Sequence, residues 1–109
     1  MTVYKSKQTH VRRGETPVFT FKFKFDLSEF DKMSLAFSQK GEVVLEKTLD
    51  DVTVEGNIIK LKLTEADTLS FASNELCEFQ FRFGIGDDDR FESDIFVIDI
   101  DRILRDGPL

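Results

Sequence analysis

The chain has 109 residues, of which 40% are hydrophobic and 33% charged, and its net charge is −6. That is the length of one domain, too apolar for a disordered chain and too acidic for general binding to phosphate backbones. One cysteine and one histidine leave no internal disulfide and no His/Cys ligand set for zinc.

In chain order, the first stretch is basic. Residues 1–14 hold Lys5, Lys7, Arg12 and Arg13 and no acid, so they carry +4 and leave −10 for residues 15–109. Residues 1–8 read as a flexible basic leader. "MTVYKSKQTH" has no apolar core of a secretion signal, and no apolar run reaches membrane-spanning length. The expectation is no membrane association, and a protein made and kept in the cytoplasm or leaving it inside an assembly. A first strand is expected around "THVRR", residues 9–13. "RRGE" then reads as a turn, with Gly14 supplying φ freedom and Pro17 leading into the next element.

The dominant period is two. In "VFTFKFKF", residues 18–25, Phe19, Phe21, Phe23 and Phe25 share one face, and Val18, Thr20, Lys22 and Lys24 the other. "DLSEF", 26–30, reads as a single helical turn. Strand alternation returns in 33–38, with Met33, Leu35 and Phe37 on one face. It continues in 43–49, with Val43, Leu45 and Leu49 interrupted by Lys47. "QKGE" at 39–42 and "EGNI" at 55–58 each suit a two-residue hairpin turn. Residues 58–63 alternate Ile59, Leu61 and Leu63 with Lys60 and Lys62. "TEADTLSF", 64–71, predicts a second helical turn, with Thr64 and Asp67 at capping-box spacing. In 76–83, Cys77, Phe79, Phe81 and Phe83 alternate with Glu78, Gln80 and Arg82. "GIGDDDR", 84–90, reads as a longer connection. "FESDIFVIDI", from Phe91, reads as one last strand, apolar on both faces between Ile95 and Ile98, as a central or covered strand would be.

About seven to eight antiparallel strands, each with one dry and one wet face, predict an all-β sandwich with one or two helical turns. The phenylalanines belong to its core. Phe lacks the polar handle that makes Tyr and Trp useful at binding sites, and the chain has one Tyr and no Trp.

Catalytic signals are few. A nucleophile needs an adjacent base held by a third group, and nothing in the sequence brings His10 and Cys77 together. The reading is not an enzyme, with no cofactor. Asp87, Asp88 and Asp89 are the densest acidic cluster and a weak candidate for calcium, although an EF-hand's alternate spacing is missing. The lysine pairs 22/24 and 60/62 are short basic stripes flanked by acids, and read as solvated strand faces. Lys5, Lys7, Arg12 and Arg13 are the interaction candidates. The leader is expected to be drawn to the acidic surface of another copy, or to cover the Ile95–Ile98 strand of its own chain.

"VRRGETPVFTFKF", followed by "DLSEFDKMSLAFSQKGEVVLEKTLDDVTVEGNIIKLKLTEADTLSF" and the tail "ILRDGPL", resembles small phage and prophage proteins of Gram-positive bacteria. The pattern is more distantly similar to the immunoglobulin-like N-terminal domains of phage baseplate upper proteins. The resemblance covers nearly the whole chain, and its motifs are turn residues. Glu15 stands where that group more often has Asp. The resemblance implies an immunoglobulin-like sandwich acting as a tail- or baseplate-associated structural or interaction protein. Its partners would be itself or other tail proteins, and its place the host cytoplasm and the virion. It brings no catalytic residues. The alternative is a carbohydrate- or calcium-binding module for host-surface adhesion, against which the scarcity of Trp and Tyr argues.

Overall fold

The alternation of phenylalanine with polar residues becomes the inside and outside of a two-sheet sandwich in the structure, a computed structural model that describes residues 3–5 and 10–109. The strands are β1 (Val3–Lys5), β2 (His10–Arg12), β3 (Val18–Phe23), β4 (Lys32–Gln39), β5 (Glu42–Thr48), β6 (Thr53–Glu55), β7 (Ile58–Lys62), β8 (Glu75–Ile85), β9 (Asp89–Glu92) and β10 (Phe96–Asp101). One sheet has the order β1-β3-β7-β6. The other runs β2-β10-β8-β4-β5, with β9 also paired to β8. The first sheet matches the A-B-E-D order of an immunoglobulin-like sandwich, and the second its G-F-C order with one further strand at each end, β2 beside G and β5 beyond C. All pairings are antiparallel except β2 beside β10, which is parallel.

The rings meet in the middle. Phe19, Phe21 and Phe23 come from β3, and Phe79, Phe81 and Phe83 from β8, and all six are buried. Phe21 and Phe81 pack edge to face, with ring centroids 4.7 Å apart at 82°. This pair bridges the two strands that antibody domains join by a disulfide. Such geometry suits the positive edge and negative face of aromatic rings. Leu35, Phe37, Ile59, Leu61, Ile98 and Ile100 close the core around them.

Local chemistry sets the turns. Lys40 and Gly41 link β4 to β5 and both take positive φ, 52° and 79°. This is the two-residue turn whose twist fits a hairpin, and glycine adopts it without a Cβ clash. The expected helical turns are present at Leu27–Glu29 and in α1 (Glu65–Leu69). The Thr64 hydroxyl accepts from the Asp67 N–H at 3.1 Å, and the Asp67 carboxylate accepts from the Thr64 N–H at 2.9 Å.

Several expectations are corrected. The described residues form ten strands rather than seven to eight, because short strands form at 3–5 and 53–55 and the last strand divides. A third helical turn, Leu49–Asp51, is capped by Thr48 and Asp51 in the same way as α1, and it takes Leu49 out of the strand. Val43 does not share an inner face with Leu45. The β4–β5 register shifts between Phe37 and Ser38, so Val43 stands opposite the outward-facing Ser38 and is exposed. β8 continues to Ile85 and pairs it with Asp89, so the connection expected at 84–90 shrinks to a three-residue turn.

The last strand breaks at Ser93. There the buried Ser93 hydroxyl accepts from the Phe81 N–H at 3.0 Å, while the Ser93 N–H donates to the Phe81 carbonyl at 3.0 Å. A side chain thus fills one rung of the ladder, and the chain kinks between β9 and β10. Lys47, the odd residue in its strand, points inward and pairs with Asp67 of α1 at 2.9 Å. An inward charge on an edge strand discourages another chain from pairing there.

Candidate interaction surfaces

Because the inner positions of β3 and β7 are Phe21, Ile59 and Leu61, their alternates must face water. The register aligns Val18 with Lys62, Thr20 with Lys60, and Lys22 with Ile58. The outer face of the four-stranded sheet therefore gathers Lys22, Lys60 and Lys62, all exposed. Among the described residues, no carboxylate lies within ion-pair distance of these three. The acid on this face is Glu55, opposite Ile58 at the outermost strand.

The other outer face has the opposite sign over its central and β10 side. Pairings place Val97, Glu78, Ser38 and Val43 in one row across β10, β8, β4 and β5. The neighbouring row holds Gln80, Ala36 and Glu46. Asp99 stands opposite Leu76, and Asp101 opposite Arg12. Val43, Leu76, Ile95 and Val97 are 61%, 58%, 56% and 46% exposed. Val43 and Ile95 line a shallow concavity of about 170 Å³ with Ala36, Ser38, Glu78, Phe79 and Gln80. Arg82, paired with Glu92, and beyond it Lys32 and Arg90 in the row of Gly84 form the basic far end of this face.

The basic leader is divided between the sheets. Lys5 lies in β1, paired with Phe21 of the four-stranded sheet, so residues 3–5 of the expected flexible leader form an edge strand. Arg12 is exposed in β2, on the other sheet, and its backbone N–H donates to Glu15 Oε1 at 2.7 Å. Arg13 turns into its own chain: Nε donates to the Phe71 carbonyl at 2.9 Å, Nη2 to the Leu69 carbonyl at 3.0 Å, and Nη1 pairs with Asp106. That contact holds the Asp106 carboxyl below its ordinary range. Lys7 lies outside the described residues. β2 runs beside β10 and does not cover its outer face, where Ile95 and Val97 remain exposed.

The acidic turn is occupied by the chain's own cations. Lys32 Nζ lies 3.3 Å from Asp87 Oδ1 and donates to the Gly86 carbonyl at 2.7 Å, and Arg90 Nη1 donates to the same carbonyl at 3.1 Å. Asp88 is exposed in the turn, and Asp89 begins β9. Among the described residues, no group of three or more His, Cys, Asp or Glu side chains is placed to hold a metal. Millimolar calcium is accordingly expected to leave the melting temperature unchanged, since a ligand stabilises only by RT ln(1 + [L]/Kd). A rise of several degrees that Asp88→Asn abolishes would make this turn a cation site.

His10 and Cys77 do not meet as a catalytic pair. His10 is exposed, 3.4 Å from Asp101 and 3.7 Å from Asp99. Cys77 faces the core, where burial and then the Glu78 charge push its thiol up to about 12. A thiol held protonated in this way is a poor nucleophile.

Sequence reading noticed the lysine stripes one strand at a time and missed that strand pairing merges them. It also missed the apolar patch, although a signal was present. Leu76 occupies a wet position in the alternation of "ELCEFQFRF", where the following alternates are Glu78, Gln80 and Arg82.

No protein-family model matches this chain, and no curated protein matches it.

Proposed function

We propose that this protein is a non-enzymatic structural or interaction protein of a phage or prophage, associated with the tail or baseplate. In this reading it is made in the host cytoplasm and carried in the virion. The observation that carries the interaction role is the patch of Val43, Leu76, Ile95 and Val97 on one sheet face. Apolar residues scattered singly over a surface need no explanation, but a cluster beside a concavity is what a protein partner covers. The rings favour the same reading, because Phe19, Phe21, Phe23, Phe37, Phe71, Phe79, Phe81 and Phe83 are buried in the core. The phage assignment rests on the turn residues of the sequence resemblance.

The test is mass spectrometry of particles purified on a density gradient from cells carrying this reading frame. Peptides of this chain should co-band with the particles, and Val97→Lys should deplete them while the variant stays folded. A chain found only in the unassembled fraction would overturn the virion assignment.

A further inference from the structure

We propose that copies of this chain stack head to tail, the lysine face of one copy against the acidic and apolar face of the next. This deepens the interaction reading above and rests on it.

The two faces are complementary in charge. One presents Lys22, Lys60 and Lys62 with Glu55 at its margin. The other presents Glu46, Glu78, Asp99 and Asp101 over its central and β10 side, with His10 and Arg12 at one border and Lys32, Arg82 and Arg90 at the other, where Asp87 pairs with Lys32 and Glu92 with Arg82. Three exposed lysines on one face of a protein of net charge −6 make a local positive field that an acidic surface complements. Apolar anchors exist on both sides: Val18, 51% exposed, and Ile58 among the lysines; Val43, Leu76, Ile95 and Val97 among the acids. Val97, Glu78, Ser38 and Val43 form a row with an acid and a hydroxyl between two valines, onto which side chains of both lysine and aliphatic kind can settle.

Geometry then selects the symmetry. The faces lie on opposite sides of the sandwich, so a contact between them is heterologous and leaves both outer faces of the pair free to continue. Like-with-like pairing places lysines on lysines or acids on acids, which is repulsive. Stacking adds layers at the ~10 Å spacing of packed sheets. Backbone pairing through the β5 edge is blocked by the inward Lys47 and the register shift beside Val43. Nucleic acid fits poorly as the occupant, because the body that bears the lysines is acidic overall. Small sheet faces of this kind fall at or below the standard interface size of ~1,600 Å², so the contact is weak in solution and gains from repetition in an assembly.

Sedimentation velocity and light scattering of the full chain test this at low and high salt. The mean mass should rise with concentration at low salt and fall toward the monomer at high salt, where charge interactions are screened. Lys60→Glu with Lys62→Glu, and separately Glu46→Lys with Glu78→Lys, should each weaken association by about tenfold or more while melting as the unaltered chain does. Mixing the two variants restores opposite charges across the contact, so association should return. A wild-type chain that stays monomeric at every salt and concentration overturns the proposal, as does a mixture no more associated than its components. A monomeric chain that binds polyphosphate through Lys60 and Lys62 overturns it in favour of an anionic polymer as occupant. A monomeric chain that still co-bands with particles overturns the stacking and leaves the structural role intact.

Discussion

Phe21→Ala will lower the folding free energy by about 3–5 kcal/mol, the cost of removing a fully buried ring and leaving its cavity. Phe21 is inaccessible to solvent, and its ring lies 6.1 Å from Phe19, 5.9 Å from Phe79 and 4.7 Å from Phe81. These neighbours belong to both sheets, so the cavity opens at the seam between them. Such sites collapse poorly, because moving one ring inward separates it from partners in its own sheet. A domain of this size is stable by only about 5–15 kcal/mol, so the variant loses a large share of its margin. The adjacent Lys22 is the control: it faces water, and Lys22→Ala should change stability by no more than about 0.5 kcal/mol. Urea unfolding followed by circular dichroism measures both, with an unchanged slope showing that the change is one of stability. A midpoint for Phe21→Ala equal to that of the parent chain would mean that the ring is not in the core.

Arg13→Met will cost about 1.5–3 kcal/mol, the range of hydrogen bonds made by a charged donor. Arg13 donates to the carbonyls of Leu69 and Phe71, where the chain leaves α1, and it also grips Asp106 in the C-terminal tail. One side chain thereby ties the turn before β3, the end of the short helix and the tail together. Methionine keeps the stem's packing and removes the donors, leaving two part-buried carbonyls to find other partners. The tail should also be cut faster by proteases, since its tie to the body is lost. Arg12→Met, one residue earlier and exposed, should do neither. Equal melting of the two variants, with equal rates of tail cleavage, would show that the Arg13 contacts contribute nothing.

The contrast between these two arginines shows where sequence reading stops. "RR" marks a basic pair, and a basic pair near a terminus reads as a surface for partners. Which of the two turns inward depends on where residues 69, 71 and 106 come to lie, and these are more than fifty positions away. The acidic turn teaches the same lesson. Three adjacent aspartates read as a possible cation site, but Lys32, fifty-five residues from Asp87, takes that place.

By itself the sequence determined the class of fold and the use of its rings. A strand turns successive side chains to opposite faces, so a period of two with phenylalanine on one side already separates core from solvent. It also determined the local punctuation. Thr64 and Asp67 cap their helix through contacts only three residues apart, and the Lys40–Gly41 turn needs only its own backbone. Tertiary structure alone decided the surfaces. Lys22 joins Lys60 and Lys62 because β3 pairs with β7 in one register, and a slip of one residue would have put Lys22 on the opposite face from Lys60 and Lys62. Val43 faces out because the register shifts beside Phe37, and the last strand breaks because the Ser93 hydroxyl fills a rung opposite Phe81. These outcomes depend on pairing between distant segments, whose energy is shared across whole sheets rather than carried by any local stretch of sequence.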